Sequence, residues 1–135
     1  MVNYVKINGE SFDVDVAISD YSETFNVLDG KNAGRVIAKG RMIRDIIGTY
    51  IGHSVTFFNK GGAEGNKAFD DLWDFLVRNS VKDSVVLEAA DGQSQISYEA
   101  YYTTGTRRIK TVTDGVNYWD ELSVNFIPME AQYLP

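Results

Sequence analysis

The sequence predicts a mainly β protein: an antiparallel β-sandwich or partly closed barrel with one flanking α-helix around residues 67–79. Three observations carry this expectation. Asn8-Gly9, Asp91-Gly92 and Asp114-Gly115 each separate two strand-like runs, and such dipeptides favour the positive φ angles of two-residue hairpin turns. Several runs alternate apolar and polar side chains, the period of a strand with one buried face. A single segment repeats its apolar residues at helical spacing.

Taken in order, Tyr4–Ile7 and Ser11–Val16 flank Asn8-Gly9 and predict a first hairpin. In its second strand Phe12, Val14 and Val16 alternate with Ser11, Asp13 and Asp15, so the acids belong to the wet face. A strand follows over Glu23–Leu28, then a loop over Asp29–Gly34, dense in turn formers. Residues 35–58 read as two strands or one long bent one, with Gly40, Gly48 and Gly52 as bulge or turn points. Asn59–Gly65 reads as a flexible connector, and Asn66 as the N-cap of the helix Lys67–Asn79. That helix is roughly 20 Å long, and Phe69, Leu72, Trp73, Leu76 and Val77 form its apolar stripe. Asp70 and Asp71 fall near its predicted start, where the helix dipole favours acids. Phe69 and Trp73 are expected to anchor it on the sheet. Ser84–Ala90 with Gln95–Tyr102, and Arg107–Val112 with Val116–Ile127, predict two further hairpins, the last ended by Pro128.

At 135 residues the chain is expected to form one domain, residues 1–135, large enough for a real core. The formal charge of −6 argues against a generic nucleic-acid binder. The acids are unevenly spread: residues 1–30 hold six against the single base Lys6, and account for most of the net charge. Bases gather instead at Arg35, Lys39, Arg41 and Arg44, and again at Arg107, Arg108 and Lys110. Such sorting suits contacts between copies of one chain, an acidic hairpin meeting a basic loop. No cysteine is present, so disulfides and thiolate metal sites are excluded. The start lacks a signal-peptide layout and the apolar runs are too short to span a bilayer, so cytosolic synthesis without membrane insertion is expected.

Residues 41–58 carry more bulky apolar and β-branched side chains than one strand face can bury. Met42, Ile43, Ile46, Ile47, Tyr50 and Ile51 are therefore expected to meet, in part, another copy. The interface candidates are Arg35, Met42, Arg44, Ile46, Ile47, Tyr50, Ile51, Arg107 and Arg108. Chemistry has few candidates. His53 is the only histidine and, alone in a strand, is expected to be satisfied or exposed. Asp70 and Asp74 lie one helical turn apart on a polar face, the ordinary place for acids. Asp120 and Glu121, adjacent on a strand, point to opposite faces and cannot cooperate. Asp29–Gly34 lacks the spacing of a phosphate loop. No catalytic, metal or cofactor site is expected, and no enzymatic activity. The neighbouring aromatic pairs Phe57-Phe58, Tyr101-Tyr102 and Tyr118-Trp119 each send one ring outward, under the helix or into an interface. A carbohydrate- or ligand-binding β-sandwich is the alternative, and it requires Tyr101, Tyr118 and Trp119 exposed in a concave groove.

The chain resembles small tail proteins encoded in prophages of Gram-positive bacteria. The resemblance rests on Val27–Arg35, Arg44–Tyr50, the Phe69–Trp73–Leu76 helix and Tyr118–Ile127. The order of elements is also similar to the tail-tube superfamily of tube, hub and distal tail or baseplate subunits. That likeness implies a structural virion protein, made in the bacterial cytoplasm and built into the phage tail. It implies homo-oligomeric rings, six-fold in that superfamily, stacked with other tail proteins into a tube or baseplate through which DNA passes as transient cargo. Lumens of the superfamily are acidic, which makes Asp13 and Asp15 the candidates for a lumen surface and sends Arg107, Arg108 and Lys110 to contacts elsewhere.

Overall fold

The computed structural model describes residues 5–135. In chain order its first strands are β1 (Lys6–Ile7), β2 (Asp15–Val16), β3 (Ser22–Asp29), β4 (Gly34–Arg35), β5 (Met42–Ile43) and β6 (Ile46–Phe58). The helix α1 (Gly62–Asn79) follows, then β7 (Val85–Asp91), β8 (Ser94–Tyr101), β9 (Gly105–Thr113) and β10 (Val116–Pro128). Eight strands join in the order β1-β7-β8-β10-β6-β2, with β3 also on β6 and β9 also on β10. This antiparallel sheet curls strongly into a half-barrel, the partly closed form of the expected fold. β4 and β5 pair separately as a small hairpin.

Curling follows from the length of β10. Its first part pairs β9, residues Glu121–Phe126 pair β6, and its end pairs β8 at Ile127↔Tyr101 and Pro128↔Ala100. Irregularities around Trp119 break the ladder to β9, and such bulges increase local twist. The inward faces supply Val55 and Phe57 of β6, Val85, Leu87 and Ala89 of β7, and Leu122, Val124 and Phe126 of β10. Phe69, Leu72 and Leu76 of α1 close the core from one side, all buried. Removing a ring as enclosed as that of Phe69 costs about 3–5 kcal/mol.

The first hairpin departs from expectation. Asn8 and Gly9 do adopt positive φ, 53° and 79°, and a tight turn closes between Ile7 and Glu10. The two strands then part: β1 pairs β7, while β2 pairs the far end of β6. Val5, Ile7, Val14 and Val16 all enter the same core, so separating the strands buries both. Tyr4 of the predicted first strand lies outside the described residues.

The helix begins five residues before the predicted start. Gly61 occupies the N-cap without a side-chain bond, and Glu64 stands in the first turn. Asn66 is no cap, because its amide serves tertiary contacts: Oδ1 accepts from Asn59 Nδ2 at 3.0 Å and Trp119 N at 3.3 Å, and Nδ2 donates to the Asn117 carbonyl at 2.9 Å. Position 65 is tight, since a Cβ there would stand 3.1 Å from Asn59 Oδ1. Asp70 and Asp71 thus sit in mid-helix rather than at its dipole-favoured start. Val77 is largely exposed, and Ala68 and Phe75 take its place against the core. Phe75 meets Phe12 with ring centroids 5.3 Å apart.

Candidate assembly surface

β6 outruns the half-barrel. Its last residue paired with β10 is His53, and residues 46–52 continue outward with β3 as a two-stranded arm capped by the β4–β5 hairpin. Along the core-facing side of β6 burial fades: Phe57, Val55 and His53 are enclosed and Ile51 is 9% exposed, and at the register shift beyond them Ile47 reaches 46%. Ile46 is 40% exposed and Phe25 on β3 is 69% exposed. Met42, Ile43, Val36, Ile37, Val27 and Leu28 are exposed as well. Of the predicted apolar set, Met42, Ile43, Ile46 and Ile47 therefore have no place in the core, Ile51 does, and Tyr50 is half-buried. Tyr50 lies in an open groove with Tyr101 and Met129.

Polar contacts shape the arm. Arg44 makes a two-pronged pair with Asp29, Nε to Oδ1 at 2.9 Å and Nη2 to Oδ2 at 2.9 Å. Asp29 Oδ1 also accepts from the Asp45 amide at 3.1 Å. The Arg44 guanidinium holds the Asp29 carboxyl below its usual range. Arg44 is thus committed to its own subunit, whereas Arg35 reaches only the Gly40 carbonyl at 2.9 Å, within its own hairpin. Lys31, Arg35, Lys39 and Arg41 make the tip basic, with no acid between Gly30 and Ile43. On the other edge of β6 the C-terminal segment replaces β10. Gln132 uses its side-chain amide as a ladder rung, accepting from Ile51 N at 2.8 Å and donating to Ile51 O at 3.0 Å.

The bulge expected at Gly48 lies in β6 beside it, where Leu28 and Asp29 face Gly48 and Ile46 and leave Ile47 as the extra residue, whereas Gly52 is neither bulge nor turn. A Cβ on Gly48 would lie 2.5 Å from the Ala131 Cβ, and one on Gly52 would lie 3.0 Å from the Phe126 carbonyl oxygen. Close packing of neighbouring chain on the strand requires glycine at both.

The remaining predicted residues fall on two faces. Arg107 points to the helix side, 15% exposed, with its guanidinium 4.4 Å from the Trp73 ring centre and 4.0 Å from that of Trp119. It also bonds Asp70 at 2.9 Å, so it is occupied within its own subunit. The sequence carries no signal for this sandwich, since Trp73 and Trp119 come together only through the tertiary fold. Arg108 points to the opposite face and pairs with Glu121 at 3.2 Å while staying largely exposed. That outer face is rich in hydroxyls and amides. Ser54 donates to Asn125 at 2.6 Å and Thr56 bonds Ser123 at 3.1 Å. Asp15 pairs across from Phe58 on the same side as Glu121. Asp20 and Glu121 line a shallow hollow here with Ser22, Ser54, Thr56 and Ser123. Asp13 is exposed and paired with Lys60.

Lys67–Asp71 and Arg78–Asp74 pair along the helix. Among the described residues no group of three or more His, Asp or Glu could hold a metal ion. His53 is 2% exposed and satisfied at both ring nitrogens, by the Tyr98 hydroxyl at 2.6 Å and the Ala90 carbonyl at 2.9 Å. Tyr101, Tyr118 and Trp119 do not share a groove: Tyr101 lines the one beside Tyr50, while Trp119 lies under Arg107. No described helix is long and apolar enough to cross a membrane. No family model and no curated protein matches this chain.

Proposed function

We propose that this chain is a structural subunit of a bacteriophage tail, assembling with copies of itself into rings that form or end the tube or baseplate and conduct DNA. The observation that carries the reading is the arm: a long projection whose Ile43, Ile46 and Ile47, with Met42 and Phe25, have no place in the core. Contiguous exposed apolar surface of this kind marks an interaction site. The basic tip suits the acidic surface of a neighbouring copy, around Asp13, Asp15, Asp20 and Glu121. β3 and β9 each pair on one side only among the described strands, and unpaired edges are templates for further pairing. Joining two different edges is a heterologous contact, which closes into a ring when the rotation allows.

In that ring the conduit reading needs Asp13 and Asp15 toward the channel and Arg108, which pairs with Glu121 on the face of Asp15, at a contact between subunits. A conduit should not grip phosphates, because each basic contact adds a salt-dependent hold. Ile46→Asp and Ile47→Asp test the assembly. The wild-type chain should form rings or tubes by sedimentation and negative-stain imaging, and the variants should remain folded monomers. A wild-type chain that stays monomeric at every concentration overturns the reading. A ring whose channel is lined by Arg107, Arg108 and Lys110 removes the conduit role and leaves assembly standing.

A further inference from the structure

The β4–β5 hairpin ends in an apex that the fold does not use. Ile37, Ala38 and Lys39 form its turn, closed by the Gly40 amide donating to the Val36 carbonyl at 2.7 Å. Turns are ordinarily built from glycine, asparagine, aspartate, serine or proline, whereas β-branched side chains suit strands. Ile37 stands in this turn fully exposed, at 101%, beside the exposed Val36. A side chain without intramolecular cover adds nothing to the core, and its apolar surface is left to water. Ile46 and Ile47 on β6 differ, since each is partly covered.

Four bases surround this apex. Lys39 lies in the turn, Arg35 ends β4, Arg41 precedes β5, and Lys31 lies in the loop before β4. All four are exposed, and among the described residues none meets a carboxylate. Arg44, by contrast, is neutralised by Asp29. Arg35 spends one of its five donors on the Gly40 carbonyl, at 2.9 Å, which fixes its head beside the turn. The apex is therefore an apolar point inside a ring of uncompensated positive charge.

Any anion would satisfy the bases, but Ile37 narrows the choice. A nucleic-acid backbone offers phosphates with no apolar layer behind them. A bilayer surface containing anionic lipids offers both, with the apolar layer one side chain below the charges. We propose that the apex is an anchor for an anionic lipid surface: Ile37, with Val36, enters the boundary between headgroups and acyl chains, while Lys31, Arg35, Lys39 and Arg41 hold the headgroups around it. Lysine and arginine suit that level, because their stems lie along apolar material while their heads stay in water. Contact of this kind needs no membrane-spanning segment. The rest of the chain is acidic, so an anionic surface attracts the tip alone and the binding is reversible and salt-dependent. The property belongs to the single chain and does not rest on the tail reading.

Cosedimentation of the full-length chain with vesicles tests the anchor, using phosphatidylcholine alone and equal parts of phosphatidylcholine and phosphatidylserine. The wild-type chain should bind the mixed vesicles at low salt, leave phosphatidylcholine unbound, and dissociate as salt is raised. Lys39→Ala and Arg41→Ala should each weaken binding about fivefold. Ile37→Ser should weaken it by about tenfold or more, with an unchanged melting temperature because the side chain covers nothing. Ile37→Trp should shift its emission to the blue on mixed vesicles only. No binding to mixed vesicles, or equal binding to phosphatidylcholine alone, overturns the proposal. So does an Ile37→Ser variant that binds as wild type does, which would leave plain charge attraction. A DNA duplex bound as tightly as the mixed vesicles and indifferent to Ile37→Ser would assign the tip to nucleic acid. Self-association lost in Ile37→Ser, with neither chain on vesicles, would assign the apex to a second copy and equally overturn it.

Discussion

Replacing Arg107 isolates an interaction that both tryptophans of the chain report. The guanidinium lies 4.4 Å from the Trp73 ring centre and 4.0 Å from that of Trp119, with its side chain 15% exposed. Each cation–π contact is worth roughly 0.5–2 kcal/mol, the upper part applying where water is excluded. The ion pair to Asp70 adds little, because Asp70 is 63% exposed and such pairs are worth about 0–1 kcal/mol. Arg107→Ala should therefore cost about 2–3 kcal/mol, since it also removes the stem that fills the space between the rings. Arg107→Lys keeps the charge but loses the planar stack, and should cost about 1–2 kcal/mol. Asp70→Asn should cost less than about 1 kcal/mol. Denaturant unfolding followed by tryptophan fluorescence measures all three, and Arg107→Ala should also shift the native emission to the red. At this chain length each kcal/mol lowers the melting temperature by roughly 4 °C. A lysine variant as stable as wild type, or an Asp70→Asn as damaging as Arg107→Ala, would refute the stacking argument in favour of a plain ion pair.

Two further outcomes follow from local geometry. Gly48→Ala would bring a Cβ 2.5 Å from the Ala131 Cβ, so it should cost about 1–3 kcal/mol through overpacking and free residues 131–133 to exchange; wild-type stability with a protected tail would contradict this. Burial pushes the Tyr102 phenol up to about 12, and its hydroxyl donates to the Leu76 carbonyl at 2.6 Å. Because the folded value lies above the ordinary tyrosine value of 10.0, its contribution is complete below that value and lost as pH rises toward about 12. Tyr102→Phe should therefore lose less stability than wild type over that alkaline span, read from unfolding curves at stepped pH.

What the sequence revealed was local. The β7–β8 and β9–β10 hairpins were legible because Gly92, Asp114 and Gly115 adopt the positive φ their turns demand, and because Leu122, Val124 and Phe126 alternate inward. The surplus of apolar residues in 42–47 was legible for the same reason, as a count exceeding one strand face. What stayed hidden was partner choice over long distance. β1 and β2 look like one hairpin, yet each finds a different strand, because the core rewards burial of both. Asn66 has the chemistry of a cap, but Trp119 and Asn117 claim its amide from another part of the chain. Arg107 reads as a surface base until the fold sets it between two rings. The partners of the His53 ring, the Tyr98 hydroxyl and the Ala90 carbonyl, come from β8 and β7, and no spacing in the sequence joins them.

β6 connects the two halves of the argument, because one strand face changes its role along its length. Phe57 and Val55 belong to the core, and at His53 the same face is still closed to water but has become polar. Beyond Ile51 it opens, and Ile47, the extra residue at the register shift, is 46% exposed. A continuous ladder of hydrogen bonds to β3 runs through this change, so the exposed end is held in line by the buried one. Any force applied to the arm is thus delivered first to the pairing around Glu23 and His53. In that geometry the polar node, rather than the apolar core behind it, sets how firmly the arm is presented. Weakening Leu122 or Phe57 should lower global stability with the arm's orientation intact, whereas Glu23→Ala, which removes the carboxylate 3.3 Å from His53 Nε2, should raise hydrogen exchange in β3 before the core yields.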